Sequence, residues 1–240
     1  MPGAPRTLCV DIGGTGIKTL VIDPEGKALT ARLKVATPRP ATPRAVIKAI
    51  LELARQQGDF DRISVGFPGV VRKGVTETAH NLHPTWIGVN IDRTLTKELG
   101  RPVRAANDAD VQGLGAVKGY GVELVITLGT GFGSSLFVDG RLVPNLQLAH
   151  HAGWNKKTYE EELGNAALKK AGRKKWNKRV FKAIDSLAAL FNYDRLYIGG
   201  GNASKIKLAL PPRVKLVSNV EGLLGGRALW LGKENCYGVR

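Results

Sequence analysis

The stretch VDIGGTGIKTLVID, residues 10–23, limits what this chain can fold into more than any other. Glycines beside a lysine suggest a phosphate cradle, and the two commonest cradles both feed a helix. A dinucleotide fingerprint aims a helix N-terminus at pyrophosphate, and a nucleoside-triphosphate loop runs G-x-x-x-x-G-K-[ST] into a helix. Here Ile17 separates Gly16 from Lys18, and Thr19-Leu20-Val21-Ile22 is a largely β-branched run ending in the turn signal Asp23-Pro24-Glu25-Gly26. Such residues favour a pleated strand. The loop therefore joins two strands, and both helix-entry readings fail. The same grammar recurs in LVITLGTGFGSSLFVDG, residues 124–140. A lone glycine hairpin is usually a tight turn and nothing more. A pair of them predicts two similar α/β lobes facing one another, with phosphates held by backbone N–H groups.

The rest of the chain supplies elements for both lobes. Residues 27–36 are predicted as a third strand, and the loop at 37–43 ends where it can cap a helix. Val46, Ile47, Ile50, Leu51, Leu53 and Ala54 then recur at helical spacing until Gly58. A strand is expected at 62–67, a helix at 92–99, a strand at 102–106 and a helix at 108–118. Residues 158–191 read as largely helical. A strand at 195–198 delivers Gly199-Gly200-Gly201-Asn202, and a strand near 214–217 and a helix near 222–231 follow. The lobes are expected at 1–105 and 106–240, packed closely, with the last helix free to pack back on the first lobe.

Composition narrows the class. Of 240 residues, 43% are apolar and 23% charged, which excludes wholesale disorder. No apolar run reaches the roughly 18 residues of a membrane span, and the first residues lack the apolar stretch of a signal peptide. Cys9 and Cys236 are the only cysteines, too few for a disulfide framework or a Cys-based zinc site, and they suit a cytoplasmic protein. The charge is unusual: 36 Lys and Arg against 20 Asp and Glu leave +16. That excess either solubilises the surface or attracts a polyanion. It concentrates in residues 154–182, where ten cations meet only Glu160, Glu161 and Glu162. Lys169, Lys170, Arg173, Lys174, Lys175 and Lys178 could line one helical face as a polyanion track; a merely solvated face is the alternative.

Several polar residues could do chemistry. Asn107-Asp108 sits between a strand end and a helix start, where open α/β sheets place ligands. Asp108 could take a proton from a hydroxyl while Asn107 orients it, or the pair could simply cap the helix. His150-His151 invites a metal reading, which the lack of a Cys cluster disfavours. Asn81, in AHNLHPTW at 79–86, offers the donor and acceptor a sugar hydroxyl needs, or it forms a turn. Trp86 reads as packing.

Taken together, these pieces resemble the ROK sugar kinases of the actin-like sugar-kinase superfamily, especially their polyphosphate glucokinase branch. The matching segments are DIGGTGIK at 11–18, PGVV at 68–71, Asn81 through Trp86, NDAD at 107–110, LGTGFGS at 128–134, Pro144-Asn145 with His150, and Gly199 to Gly201. They run in family order along nearly the whole chain. The resemblance implies a two-lobed actin-like (ribonuclease H-like) fold and a phosphotransferase acting on the 6-hydroxyl of glucose or a close hexose such as mannose. It makes Asp108 the base, with Asn81, Asn107 and His150 holding sugar. Phosphate would meet Gly13, Gly14, Thr15 and Lys18 from one lobe and Gly129, Thr130 and Gly131 from the other. Asp11 would orient Mg2+ through water. Gly199, Gly200, Gly201 and Asn202 mark where ATP-using relatives bind adenosine.

The chain departs from the family at three places. It lacks the Cys-rich zinc motif of most members, as the polyphosphate branch does, so no zinc is expected. Gln147 stands where a glutamate is usual, keeping hydrogen bonding but losing charge. The later sugar-binding glutamate is either Glu160 or Glu161. The expected donor is inorganic polyphosphate, tracked by the basic stretch; the alternatives are an ATP-dependent hexokinase and a non-catalytic sugar- or polyphosphate-binding protein. A DNA-binding regulator would need a helix-turn-helix ahead of Asp11, where only ten residues stand, so no nucleic-acid partner is expected. The family also implies a homodimer.

Overall fold

Residues 4–218 and 225–231 are described by this computed structural model. They divide into two compact units, one running to Gly115 and resuming at Gly225, the other from Ala116 to Ser218. The division thus leaves the helix after Asn107 with the first unit, ten residues beyond the boundary expected near 105.

In the first unit, β1 (Thr7–Ile12) pairs antiparallel with β2 (Gly16–Ile22), and β2 with β3 (Leu33–Ala36). β1 also runs parallel to β4 (Arg62–Phe67), which runs parallel to β7 (Val103–Asn107), giving the order β3-β2-β1-β4-β7. Two helices cover one face. α1 (Pro43–Gln57) is capped by Thr42, and α2 (Ile91–Leu99) by Asn90. Leu8, Val10 and Ile12 point into the core under these helices, while Cys9 packs on the other face with Leu20 and Ile22. Both faces are covered, as an uninterrupted apolar strand requires. The second cover is the short 3-10 helix Gly225–Trp230, fastened where Ser64 Oγ donates to the Gly226 carbonyl at 2.6 Å and Trp230 Nε1 donates to Ser64 Oγ at 2.8 Å. The small hairpin of β5 (Val71–Arg72) and β6 (Val75–Thr76) leads from β4 toward α2.

The second unit repeats the plan. α3 (Asp108–Ala116) leads into β8 (Val122–Leu128), which pairs antiparallel with β9 (Phe132–Val138), and β9 with β10 (Arg141–Val143). After α4 (Tyr159–Leu163) and α5 (Asn165–Phe191), β11 (Arg195–Gly199) and β12 (Val214–Leu216) add parallel strands. The order β10-β9-β8-β11-β12 is that of the first unit, strand for strand. The paired hairpins are the first two strands of each copy.

Local competition explains where elements differ from expectation. The third strand keeps only its last four residues, because the Val21 N–H donates to the Thr30 hydroxyl (3.0 Å) rather than to a ladder carbonyl. The helix expected to Lys118 stops at Ala116, since the N–H groups of Lys118 and Gly119 bind the buried Glu123 carboxylate at 2.8 and 2.7 Å. The basic segment is broken at Gly164 and kinked at Gly172, whose φ of 73° and ψ of 157° are reserved for glycine. The final helix is a 3-10 turn over 225–230, and its expected start at 222–224 lies outside the described residues, as does Cys236.

Candidate active site

Each unit carries one hairpin, built by the same device. In the first, the Gly13 N–H closes the turn on the Gly16 carbonyl at 3.0 Å. The next two carbonyls are tied outward: Gly13 O accepts from Thr37 Oγ1 at 2.6 Å, and Gly14 O from Arg39 Nη2 at 2.9 Å. A trans peptide sets its N–H opposite its carbonyl. The amides of Gly14 and Thr15 are therefore turned the other way, and among the described residues neither donates to protein. In the second, the Gly129 N–H closes on Gly131 O at 3.1 Å; Gly129 O accepts from Asn165 N and Asn202 Nδ2, and Thr130 O from Asn165 N. The amides of Thr130 and Gly131 are left to face a ligand in the same way. Adjacent N–H groups so presented form an anion-binding concavity.

Charge in the first unit is arranged across the sheet. Lys34, Lys18, Asp11 and Gly66 are successive cross-strand partners on β3, β2, β1 and β4, so their side-chain positions share one face. Lys18 Nζ and Asp11 Oδ2 form an ion pair at 2.5 Å. At Gly66 the absent side chain makes room for Asp108, whose Cα would lie 3.4 Å from a Cβ there. The chain turns from β7 into α3 at this point because Asn107 caps the helix: its Oδ1 accepts from the N–H groups of Ala109 (2.9 Å) and Asp110 (3.3 Å), and its Nδ2 donates to Gly69 O at 3.1 Å. Asp108 Oδ1 also accepts from the Ala109 N–H at 2.8 Å. The Asp108 carboxyl keeps some solvent contact, yet desolvation by the surrounding protein is the largest influence on it. With the negative charges of Asp11 and Asp110, it lifts the pKa from 3.8 to about 7, against the opposing pull of the Ala109 N–H and Lys18. Asn81 joins this group, its Cβ 3.2 Å from where a Gly14 side chain would begin. Trp86 is wholly buried, stacked 5.1 Å from Phe67 and bonded through Nε1 to Ala41 O; it packs the core.

The second unit brings its own group together. Ser134, on β9, holds the segment that carries Gln147 and His150, accepting from Leu148 N at 3.3 Å and donating to Leu146 O at 3.1 Å. Gln147 is partly buried and His150 exposed, at the two ends of a single 3-10 turn. Glu160 and Glu161 separate cleanly. Glu161 closes a capping box with Thr158 at the start of α4, and that hydrogen bonding holds its exposed carboxyl below the usual range. Glu160 reaches the hairpin: its Oε2 accepts from Phe132 N at 3.2 Å and would stand 2.2 Å from a side chain at Gly131. The capping box T-x-x-E is legible at 158–161 and could have made this assignment. Gly199, Gly200 and Asn202 lie under the hairpin, Asn202 donating its backbone N–H to Leu128 O at 2.8 Å, while Gly201 faces open space.

The nominated track cations Lys169, Lys170, Arg173, Lys174, Lys175 and Lys178 are all exposed. The Gly172 kink splits them. Lys174, Lys175 and Lys178 share the outer face of the second segment, opposite buried Trp176 and Val180. Arg179 is diverted into an ion pair with buried Glu162 at 2.9 Å. Among the described residues, no helix is long and apolar enough to cross a membrane, and no group of three or more His, Cys, Asp or Glu is placed to hold a metal.

Comparison with known proteins gives this geometry a family. The model of the ROK family matches residues 7–167. A polyphosphate glucokinase of Mycobacterium tuberculosis is 36% identical over 211 residues, covering 84% of this chain and 80% of that protein. Among solved structures, the inorganic polyphosphate/ATP-glucomannokinase of Arthrobacter sp. strain KM superposes with a TM-score of 0.84 at 33% identity, covering 93% of this chain and 97% of that one. A ROK family glucokinase of Streptomyces griseus, solved with glucose and AMPPNP, superposes at 0.77 with 20% identity over 93% of this chain and 98% of its own, a likeness of fold.

Proposed function

This chain belongs to the ROK family, and from that premise we propose that it transfers a phosphoryl group from inorganic polyphosphate to the 6-hydroxyl of glucose or a close hexose. The observation that carries the chemistry is Asp108, a carboxyl held near pKa 7 at the helix start beside a hairpin with free amides. A base works best when its pKa lies near the working pH, because it is then both ionised and basic. In this reading Asp108 accepts the hydroxyl proton as phosphate arrives. Asn107 acts mainly by fixing Asp108, since its Oδ1 is spent on the cap, and Asn81 supplies a sugar contact. From the second unit, His150, Gln147 and Glu160 contribute sugar contacts, and the amides of Thr130 and Gly131 contribute phosphate contacts. Phosphoryl transfer asks for positioning and charge neutralisation more than covalent chemistry, and these groups offer both.

Magnesium is the metal implied by the family. Its fit is that of an ion brought by the donor: Asp11 is a lone carboxylate already engaged by Lys18, able to order a metal-bound water but not to cage a cation. When bound, the ion would neutralise charge on the donor phosphates. The choice of polyphosphate over ATP is supported by the two similar enzymes and by the exposed cations of α5.

The test is hexose 6-phosphate formation with magnesium and glucose, long-chain polyphosphate against ATP at matched ionic strength. Turnover on polyphosphate is expected. Turnover on ATP alone would make this an ATP-dependent hexokinase, and sugar binding without turnover on either donor would make it a binding protein.

A further inference from the structure

Lys18 is the cation that the glycine motif itself offers to phosphate, but it is held by Asp11 at 2.5 Å. Free positive charge at the first hairpin comes from two residues outside the motif. Lys34 faces Lys18 across the β2–β3 ladder, and its chain folds over Gly16, with Cε 2.9 Å from where a side chain there would begin. That carries the ammonium toward the loop. Arg39 reaches the same loop from the segment before α1 and spends one Nη on the Gly14 carbonyl. Its guanidinium has further N–H groups to give. Both residues are exposed, and among the described residues neither is in an ion pair. Two unneutralised cations thus stand beside two unused amides, those of Gly14 and Thr15.

We propose that Lys34 and Arg39 are the phosphate-contacting cations of this hairpin, and that they hold the donor phosphates adjacent to the one transferred. The assignment to a donor rests on the polyphosphate reading above. Arg39 has a second duty, because its bond to Gly14 O also turns the Thr15 amide toward the anion. A run of linked phosphates carries about one charge per unit and sheds counterions where cations meet it, so each contact adds to the salt dependence of binding.

Binding of inorganic tripolyphosphate to the intact protein, measured by calorimetry across a salt series, tests this without requiring turnover. Lys34→Ala with Arg39→Ala is expected to weaken binding about tenfold and to flatten the slope of log affinity against log salt by about one. Lys48→Ala, an exposed cation on α1, makes a single charge loss elsewhere and is expected to change neither. Arg39→Lys, which keeps the charge but loses the planar fork, should fall between. With polyphosphate as donor, the double variant should raise its KM about tenfold, leaving kcat within twofold and the glucose KM unchanged. Equal affinity and equal slope in the double variant, no tripolyphosphate binding to the wild type, or the same loss in Lys48→Ala would overturn the proposal. Tripolyphosphate binding that depends on Lys34 and Arg39, without polyphosphate turnover, would uphold these contacts and sink the catalytic reading instead.

Discussion

Asp108→Asn separates catalysis from stability, because the group proposed as base is also a source of instability at neutral pH. Folding lifts its pKa from an ordinary 3.8 to about 7, so the folded state binds the proton more tightly than the unfolded chain. The contribution to stability is complete below about pH 4 and is lost as pH rises through 7. At about 1.36 kcal/mol per pH unit, the upper bound on that loss is about 4 kcal/mol. Because water still reaches the side chain, about 2 kcal/mol is the more physical figure. Asparagine is nearly isosteric, and its Oδ1 can keep the 2.8 Å bond from the Ala109 N–H. The variant should therefore melt with the wild type near pH 4 to 5 and about 4–8 °C above it at pH 8. Its turnover should fall at least 100-fold at every pH. In the wild type, log kcat/KM should rise with unit slope to a plateau above about pH 7. Differential scanning calorimetry at pH 5 and 8, run beside the pH–rate profile, measures both. An Asn variant that gains no stability on going to pH 8 would show the carboxyl is not desolvated, and one that keeps its activity would remove Asp108 as the base.

Gly131→Ala places a methyl 2.2 Å from Glu160 Oε2 and must displace that carboxylate from the Phe132 N–H. The expected cost is about 1–3 kcal/mol for the abandoned amide, with glucose KM raised if Glu160 touches sugar; unchanged melting and kinetics would refute the contact. Asp92→Asn should stabilise the protein by about 1 kcal/mol at pH 8 and not at pH 4. Burial raises the Asp92 pKa to about 6 despite the Ala105 amide and Arg104, and Oδ1 has no hydrogen-bond partner among the described residues. Urea midpoints at the two pH values decide it.

Motifs that act through their own backbone were readable in the sequence. Both hairpins, the helix from Thr42 to Gly58 and the strand at 62–67 carry their turn, cap and β-branched signals within a few residues. What escaped depends on partners distant in sequence. Lys34 and Arg39 look like loop cations until β3 is laid beside β2. Asn165 looks like a helix residue until its amide is found on the Gly129 and Thr130 carbonyls. The kink at Gly172 sits inside a run of good helix formers, and nothing within four residues marks it. Lys18 was correctly placed on the strand after the loop, but its neutralisation by Asp11 is a cross-strand fact.

The return of residues 225–231 to the first unit makes that unit discontinuous, with the whole second unit inserted in it. The second unit can be completed from one unbroken stretch of chain. The first must wait for Ser64 and Arg104 to meet Gly226, Leu229 and Trp230, a loop of more than a hundred residues. Closing so long a loop costs only modestly more free energy than closing a short one, but it delays the event. On the ribosome, the inserted half would thus be finished first, and the half bearing Asp108 would be sealed by some of the last residues to emerge.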